Sequence, residues 1–369
     1  YMGSAREDIY YWLALRSVPG VGNVIFKRLI ETFGSPECVL SASLSELLKV
    51  EGIGSSLANN IVRFKPDKKK IIDEIDEVER LGITVITLNN SAYPERLKKI
   101  YDPPPILYIK GEITKEDENA IAIVGARNAT TYGRTVTERL SSELVSYGYT
   151  IVSGMARGID TFAHQGAMTA GGRTIAVLGS GIDILYPPDN RDLAGKIAEN
   201  GAIISEFEPG TPPERINFPK RNRIISGISA GVLVIEASND SGSLITANAA
   251  LEQGREVFAI PGNINSRNSS GTNGLIKKGA KLVENIDDIL EELIPQLAKR
   301  EVDMLNKEER HNLSGEEELI CNLISYEPRH IDEITFGSSL PSSRVSTILL
   351  DLELKGAVQQ LDGNLYIKR

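Results

Sequence analysis

The sequence predicts an α/β protein: a parallel sheet covered on both faces, preceded by a helical helix-hairpin-helix block and followed by a winged helix. Three observations carry this. In the middle of the chain, short β-rich runs such as "AIAIVG", "YTIVSG", "TIAVLGSG" and "EVFAIPG" alternate with amphipathic segments such as "TVTERLSSELVSYG". Near the start, a Gly-hydrophobic-Gly step followed by a helical period occurs twice. Near the end, three helical patterns lead into two short strands around Asp362-Gly363, a hairpin turn signal.

The first block is assigned to residues 1–80, with the opening "YMGS" set aside. Its repeats are "VPGVGNVIFKRLIETFG" and "VEGIGSSLANNIVRF". Such hairpins expose backbone N–H groups at a helix N-terminus and can hold phosphate, or they can simply pack. Lys27 and Arg28 support the first use, whereas Glu51 sits beside the second pair of glycines with no base before Arg63. The charge pattern tips the balance to packing.

The core is assigned to residues 81–295. Near-continuous apolar strands between helices imply parallel pairing, and Gly82 to Gly111 is expected to add edge strands. In such sheets ligands bind outside the carboxyl ends of the strands, where strand order reverses. Residues 296–312, a charged tract, read as a linker, and 313–369 as the winged helix. Its third helix offers Arg344 against Asp351 and Glu353, and the block holds 5 bases and 9 acids. That composition favours protein docking over duplex reading.

The whole chain has 369 residues and a net charge of −9. No block is basic, so any polyanion site must be a focused cleft. Cys38 and Cys321 are isolated, which fits a reducing compartment and offers no metal-ligand spacing. No apolar run reaches membrane-span length. A cytoplasmic protein without metal or cofactor is expected.

Three places bear chemistry. "AIAIVGARNATTYGR" places Gly125 and Arg127 on a strand-to-helix turn but lacks the later glycines of a dinucleotide fingerprint. "VSGMARGIDTFAH" places Ser153, Gly154 and Arg157 on a second such turn, with His164 one helical turn after Asp160. His164 could act as a general base, although local hydrogen bonding is the commoner role of a helical histidine. The third place is "RINFPKRNRIISGIS", where Arg215, Lys220, Arg221 and Arg223 fall within nine residues without an acid. Pro219 starts a turn and "IISGIS" has helical apolar spacing, so Lys220, Arg221 and Arg223 would sit at the beginning of that helix, a cost that an incoming anion would relieve. Phe218 and Asn222 add an aromatic face and an amide suited to a nucleotide base.

Together with "TIAVLGSGIDILYPPDN", "VLVIEASNDSGSLITA" and "EQGREVFAIPGNINSRNSSGTNGLIKKGA", these stretches closely resemble the DNA-processing protein A (DprA/Smf) family, from about Val85 to Val283. The resemblance implies an extended Rossmann-like core, with a SAM-like helix-hairpin-helix domain before it. It also implies single-stranded DNA binding, loading of RecA recombinase onto that DNA during natural transformation, a homodimer, and no catalysed reaction. It places the DNA pocket at Arg127 and at Lys220 to Arg223. Pro188 stands where some members carry a lysine, removing one phosphate contact.

The leading alternative is an enzyme. "PGNINSRNSSGTN" distantly resembles the loop of Rossmann-like nucleoside-monophosphate phosphoribohydrolases, yet Thr272 is followed by Asn273 and no acid appears until Glu284. A dinucleotide-dependent oxidoreductase fails on the glycine fingerprint.

Overall fold

A computed structural model describes residues 4–293, 315–325, 328–355, 357–361 and 363–368. The expected linker at 296–312, and Asp362 of the expected wing turn, lie outside the described residues. The chain divides into two compact units, residues 1–293 and 294–369.

The first block is helical, with Ser4–Arg16, Asn23–Phe33, Ser55–Arg63 and Lys68–Arg80 as its longer helices. Each hairpin delivers a helix whose N-cap is a glycine, Gly22 or Gly54. Burial is what holds the block together. Trp12 stacks on Phe26 with ring centroids 5.3 Å apart. Ile71, Ile75 and Val78, at i, i+4 and i+7 of the last helix, form its buried stripe. These side chains belong to the same buried cluster as the sheet residues Ile106 to Ile109, Val152 and Ile175. Arg16 strengthens the junction, donating to Glu74 at 2.9 Å and to the Tyr108 hydroxyl on the second strand.

Nine strands form one sheet: β1 Thr84–Thr87, β2 Ile106–Gly111, β3 Ala120–Val124, β4 Thr150–Ser153, β5 Thr174–Val177, β6 Gly201–Ser205, β7 Gly231–Val234, β8 Glu256–Ala259 and β9 Lys281–Leu282. Their order is β1-β2-β6-β5-β4-β3-β7-β8-β9. β1 and β2 are antiparallel additions at one edge, and every pair from β6 to β9 is parallel. β3 to β7 are buried along their whole length, which explains why they read as unbroken apolar runs. The order reverses between β3 and β7, and the long β6-to-β7 connection carries the helix Asn217–Ile228.

The second unit has helices Gly315–Leu323, Ile331–Ser338 and Ser342–Leu354 and a small antiparallel sheet, as a winged helix requires. Its own core gathers Ile320, Ile334, Val345, Leu349, Leu352 and Val358. The base on its third helix is internally neutralised: Arg344 pairs with Glu316 at 2.7 Å.

One apolar core under both the helical block and the sheet has a direct consequence. A chain ending at residue 293 should unfold in urea as a single transition, with far- and near-ultraviolet circular dichroism coinciding. A separate, earlier melt of the helical block would contradict the shared core.

Candidate functional site

A cleft of about 730 Å³ opens where β3 and β7 end, at the reversal of strand order. Gly125 and Arg127 of the turn after β3 line one wall, joined by Asp160 from the first turn of the helix Ile159–Thr169 that follows β4. Phe218, Arg221, Asn222 and Ile225 supply a second wall from the crossover helix. The loop after β7 contributes Ser241 and Ser243, while Tyr186 and Arg215 reach in from outer loops.

The crossover helix begins at Asn217, so Pro219, expected to start a turn, instead lies within the first helical turn, where a missing N–H costs nothing. Phe218, Arg221, Asn222 and Ile225 then occupy i, i+3, i+4 and i+7, one face of the helix. Arg223 is two residues from Arg221, about 200° around the axis. The basic cluster therefore cannot form one seat, and the expected convergence is corrected here. Arg223 faces away, donates to the Asp102 carbonyl at 2.8 Å and pairs with Glu206 and Asp102. Burial pushes the Glu206 carboxyl up in pKa, and Arg223 and then, more weakly, Lys220 pull it back. Lys220 itself is exposed and outside the cleft lining. The dipole argument also weakens, because Arg221 and Arg223 sit beyond the first turn, where the effect has faded.

Arg221 is 4% exposed, a cation held under the cleft. It donates to the Gly154 carbonyl at 2.6 Å, to the Val177 carbonyl at the end of β5, and to the Asn222 amide oxygen at 3.2 Å. Asn222 in turn donates to the Gly242 carbonyl at 3.3 Å. Only glycine fits at 154: a Cβ there would lie 2.7 Å from the Arg221 guanidinium and from Asp160 Oδ2. Burial lowers the Arg221 pKa to about 10, against the support of Asp160, and Arg127 lowers it further. Burial likewise raises the pKa of Asp160, which Arg221 and the Ala156 N–H oppose.

The two arginine turns interlock. Ile159 N–H donates to the Ala126 carbonyl at 3.1 Å, and Gly158, at φ 78°, lets the second turn press on the first. A Cβ at 158 would lie 2.3 Å from the Ala126 oxygen. Ser153 is buried, with its hydroxyl on the Ile123 carbonyl at 2.6 Å, so it serves the turn and not the cleft. Arg157 is exposed but pairs with Asp189 at 2.6 Å and does not line the cleft. His164 is buried, and its Nδ1 lies 2.7 Å from the Thr174 hydroxyl. That hydroxyl donates to the Ile151 carbonyl, so the ring must be the Nδ1–H donor. Burial and Arg221 lower its pKa to about 3, which leaves a neutral structural imidazole.

Arg127 and Arg215 are different in kind. Both are exposed, both line the cleft, and among the described residues neither has a carboxylate within ion-pair distance. Arg127 lies over the Phe218 ring at 5.6 Å and Arg221 at 5.9 Å, with the Tyr186 ring 6.0 Å away. Cations over an aromatic face, with a second exposed ring beside them, suit phosphate and base together. Sequence reasoning misses Arg215, Tyr186 and the serines of the β7 loop as cleft residues. For Arg215 a signal exists, since it opens the same basic stretch. For Tyr186 and the serines only the tertiary fold brings them in.

Among the described residues, no cluster of His, Cys, Asp or Glu side chains could hold a metal ion. The hairpin bases are also engaged: Lys27 donates to the Ile100 carbonyl at 3.3 Å and Arg28 to the Glu51 carbonyl at 3.0 Å. Fold and cleft together define a doubly wound α/β protein with a cleft lined by arginines and aromatic rings at its switch point.

A family model described as DNA recombination-mediator protein A matches residues 84–294, a DprA winged helix domain matches 307–364, and a SAM-like helix-hairpin-helix tandem matches 13–64. The chain belongs to the DNA recombination-mediator protein A (DprA/Smf) family. Protein Smf of Synechocystis is 36% identical over 99% of this chain and 100% of its own length. The DNA processing protein DprA of Bacillus subtilis is 44% identical over 65% of this chain and 80% of its own. The X-ray structure of DprA from Streptococcus pneumoniae superposes with a TM-score of 0.67 at 34% identity, over 79% of this chain and 99% of that one. A structure of DNA processing protein A from Helicobacter pylori, described for its single-stranded DNA binding mode, gives 0.52 at 34% identity over 58% and 97%.

The buried pair makes a signed prediction. Arg221→Met leaves Asp160 buried without its cation and should cost about 3–5 kcal/mol at neutral pH. The Asp160 pKa is already raised above 3.8, so its ionised form opposes folding. The lost carbonyl bonds cost stability at any pH, so the loss in the variant should be smaller near pH 4 than at neutrality and grow as pH rises through the raised folded value. Urea unfolding at the two pH values checks this, and a loss independent of pH would contradict it.

Proposed function

We propose that this chain binds single-stranded DNA in the cleft and delivers it to a RecA-type recombinase during natural transformation. It would act as a cytoplasmic homodimer and catalyse no reaction. One observation carries the DNA part of the reading: among the described residues, no carboxylate neutralises Arg127 or Arg215 on the cleft of a chain with net charge −9. Arg127 over the Phe218 ring, with Tyr186 beside that ring and Arg215 on the same cleft, matches what a single strand presents, a phosphate string with unstacked bases. A duplex would need a broader basic face, and Arg344 on the third helix of the winged helix is paired internally. Delivery to a recombinase and the homodimer rest on family membership.

The phosphoribohydrolase alternative needs a free carboxylate on the cleft. Asp160 is the acid in the lining, and Arg221 and backbone N–H groups hold it. Asn273, standing in the loop region in question, clasps the Gly262 backbone, accepting at 3.2 Å and donating at 3.0 Å.

Fluorescence anisotropy with single-stranded and duplex oligonucleotides across salt concentrations tests the reading. Single strands should bind more tightly. Arg127→Ala and Arg215→Ala should each weaken that binding by about 1–3 kcal/mol. Each should also flatten the salt slope by about 0.7. Arg223→Ala should lower thermal stability and leave the slope unchanged. Tighter duplex binding, or full affinity in both cleft variants, would overturn the proposal.

A further inference from the structure

Residues Arg63 to Lys70, "RFKPDKKK", hold five bases and one acid, and all five bases are exposed. The acid is already engaged: Asp67 caps the helix Lys68–Arg80, accepting from the Lys70 N–H at 3.1 Å. Lys70 pairs with Glu208 at 3.5 Å. Among the described residues, Arg63, Lys65, Lys68 and Lys69 have no ion-pair partner. Like charges held this close repel one another in the folded chain, and the single carboxylate within the run, Asp67, offsets them only in part.

Their position gives this charge a direction. Glu208 lies three residues beyond the end of β6, so Lys70 anchors the cluster at the carboxyl edge of the sheet, the edge that holds the cleft. β6 stands three strands from β3, roughly 14 Å at ordinary strand spacing. The loop that carries Glu208 also carries Arg215 of the cleft wall, seven residues on and at most about 25 Å away. One loop thus carries both the anchor of the cluster, Glu208, and a cleft arginine that has no ion-pair partner among the described residues.

The geometry points to a second phosphate-contact surface at Arg63, Lys65, Lys68 and Lys69, which holds the same single strand after it leaves the cleft past Arg215. This rests on the single-strand reading of the cleft. It differs from phosphate binding at the glycine turns of the hairpins: Lys27 and Arg28 of the first repeat donate to backbone carbonyls, and Arg63 stands at the far end of the second repeat's helix. The cluster is a contact for strands that overhang the cleft, and it makes affinity depend on strand length.

The test uses the full chain carrying R63Q, K65Q, K68Q and K69Q, with Asp67 and Lys70 retained so that the helix cap and the Glu208 pair survive. Oligothymidylates of about 6 and about 25 nucleotides bracket the usual single-strand site sizes. The short strand should bind the variant within about twofold of the parent. The long strand should bind about tenfold more weakly, with its salt slope flattened by about 0.7 for each phosphate no longer neutralised. Equal affinity of parent and variant for the long strand would overturn the inference, as would equal weakening for both lengths. Loss of polyglutamate binding with long-strand affinity intact would also overturn it, marking a protein-docking surface. Arg127→Ala is the separate control: full affinity for both lengths in that variant would sink the cleft reading itself, whatever the cluster variant does.

Discussion

The Arg221 guanidinium holds three pieces of chain together beneath the cleft. It takes the Gly154 carbonyl after β4, the Val177 carbonyl at the end of β5, and, through Asn222, the loop after β7. A buried cation is unfavourable without such partners, and here carbonyl dipoles and Asp160 provide them. With Arg221 in place, the crossover helix has one allowed rotation against the sheet. That rotation presents Phe218 to Arg127 and turns Arg223 toward Glu206.

An acidic chain can carry a polyanion site because its cations are sorted by whether they are paired. Arg16, Arg157, Arg173, Arg223 and Arg344 meet carboxylates and hold elements together. Arg127 and Arg215 meet none among the described residues, and they stand where the parallel strands end. Net charge averages over both kinds and so conceals the site. Local pairing reveals it, because a solvated cation beside an aromatic ring is free to exchange water for phosphate.

Much of the fold is legible in the sequence because burial on both faces writes itself as unbroken apolar runs. β3, β4, β5 and β7 are each visible as such a run with a turn behind it, and glycine marks both hairpins. The site is legible only in part. Arg127, Phe218, Arg221 and Asn222 line one cleft, but Arg223 and Arg157 are held by Glu206 and Asp189. The two-residue spacing of Arg221 and Arg223 sets them about 200° apart on any helix, and only their tertiary partners show which of the two faces the cleft. Glu206 and Asp102, the partners of Arg223, lie 17 and 121 residues away in sequence. No local pattern reports such pairings. The charge run after Arg63 says little by itself, because its significance lies in Lys70 reaching Glu208 at the sheet edge.

Hydrogen–deuterium exchange of the full chain, with and without a single strand of about 6 nucleotides, tests the central claim most directly. The account predicts slowed exchange in residues 125–128, 213–222 and 241–246, with little change around Arg223's partners at 95–102. Protection confined to the winged helix at 315–368, with the cleft segments unchanged, would contradict it.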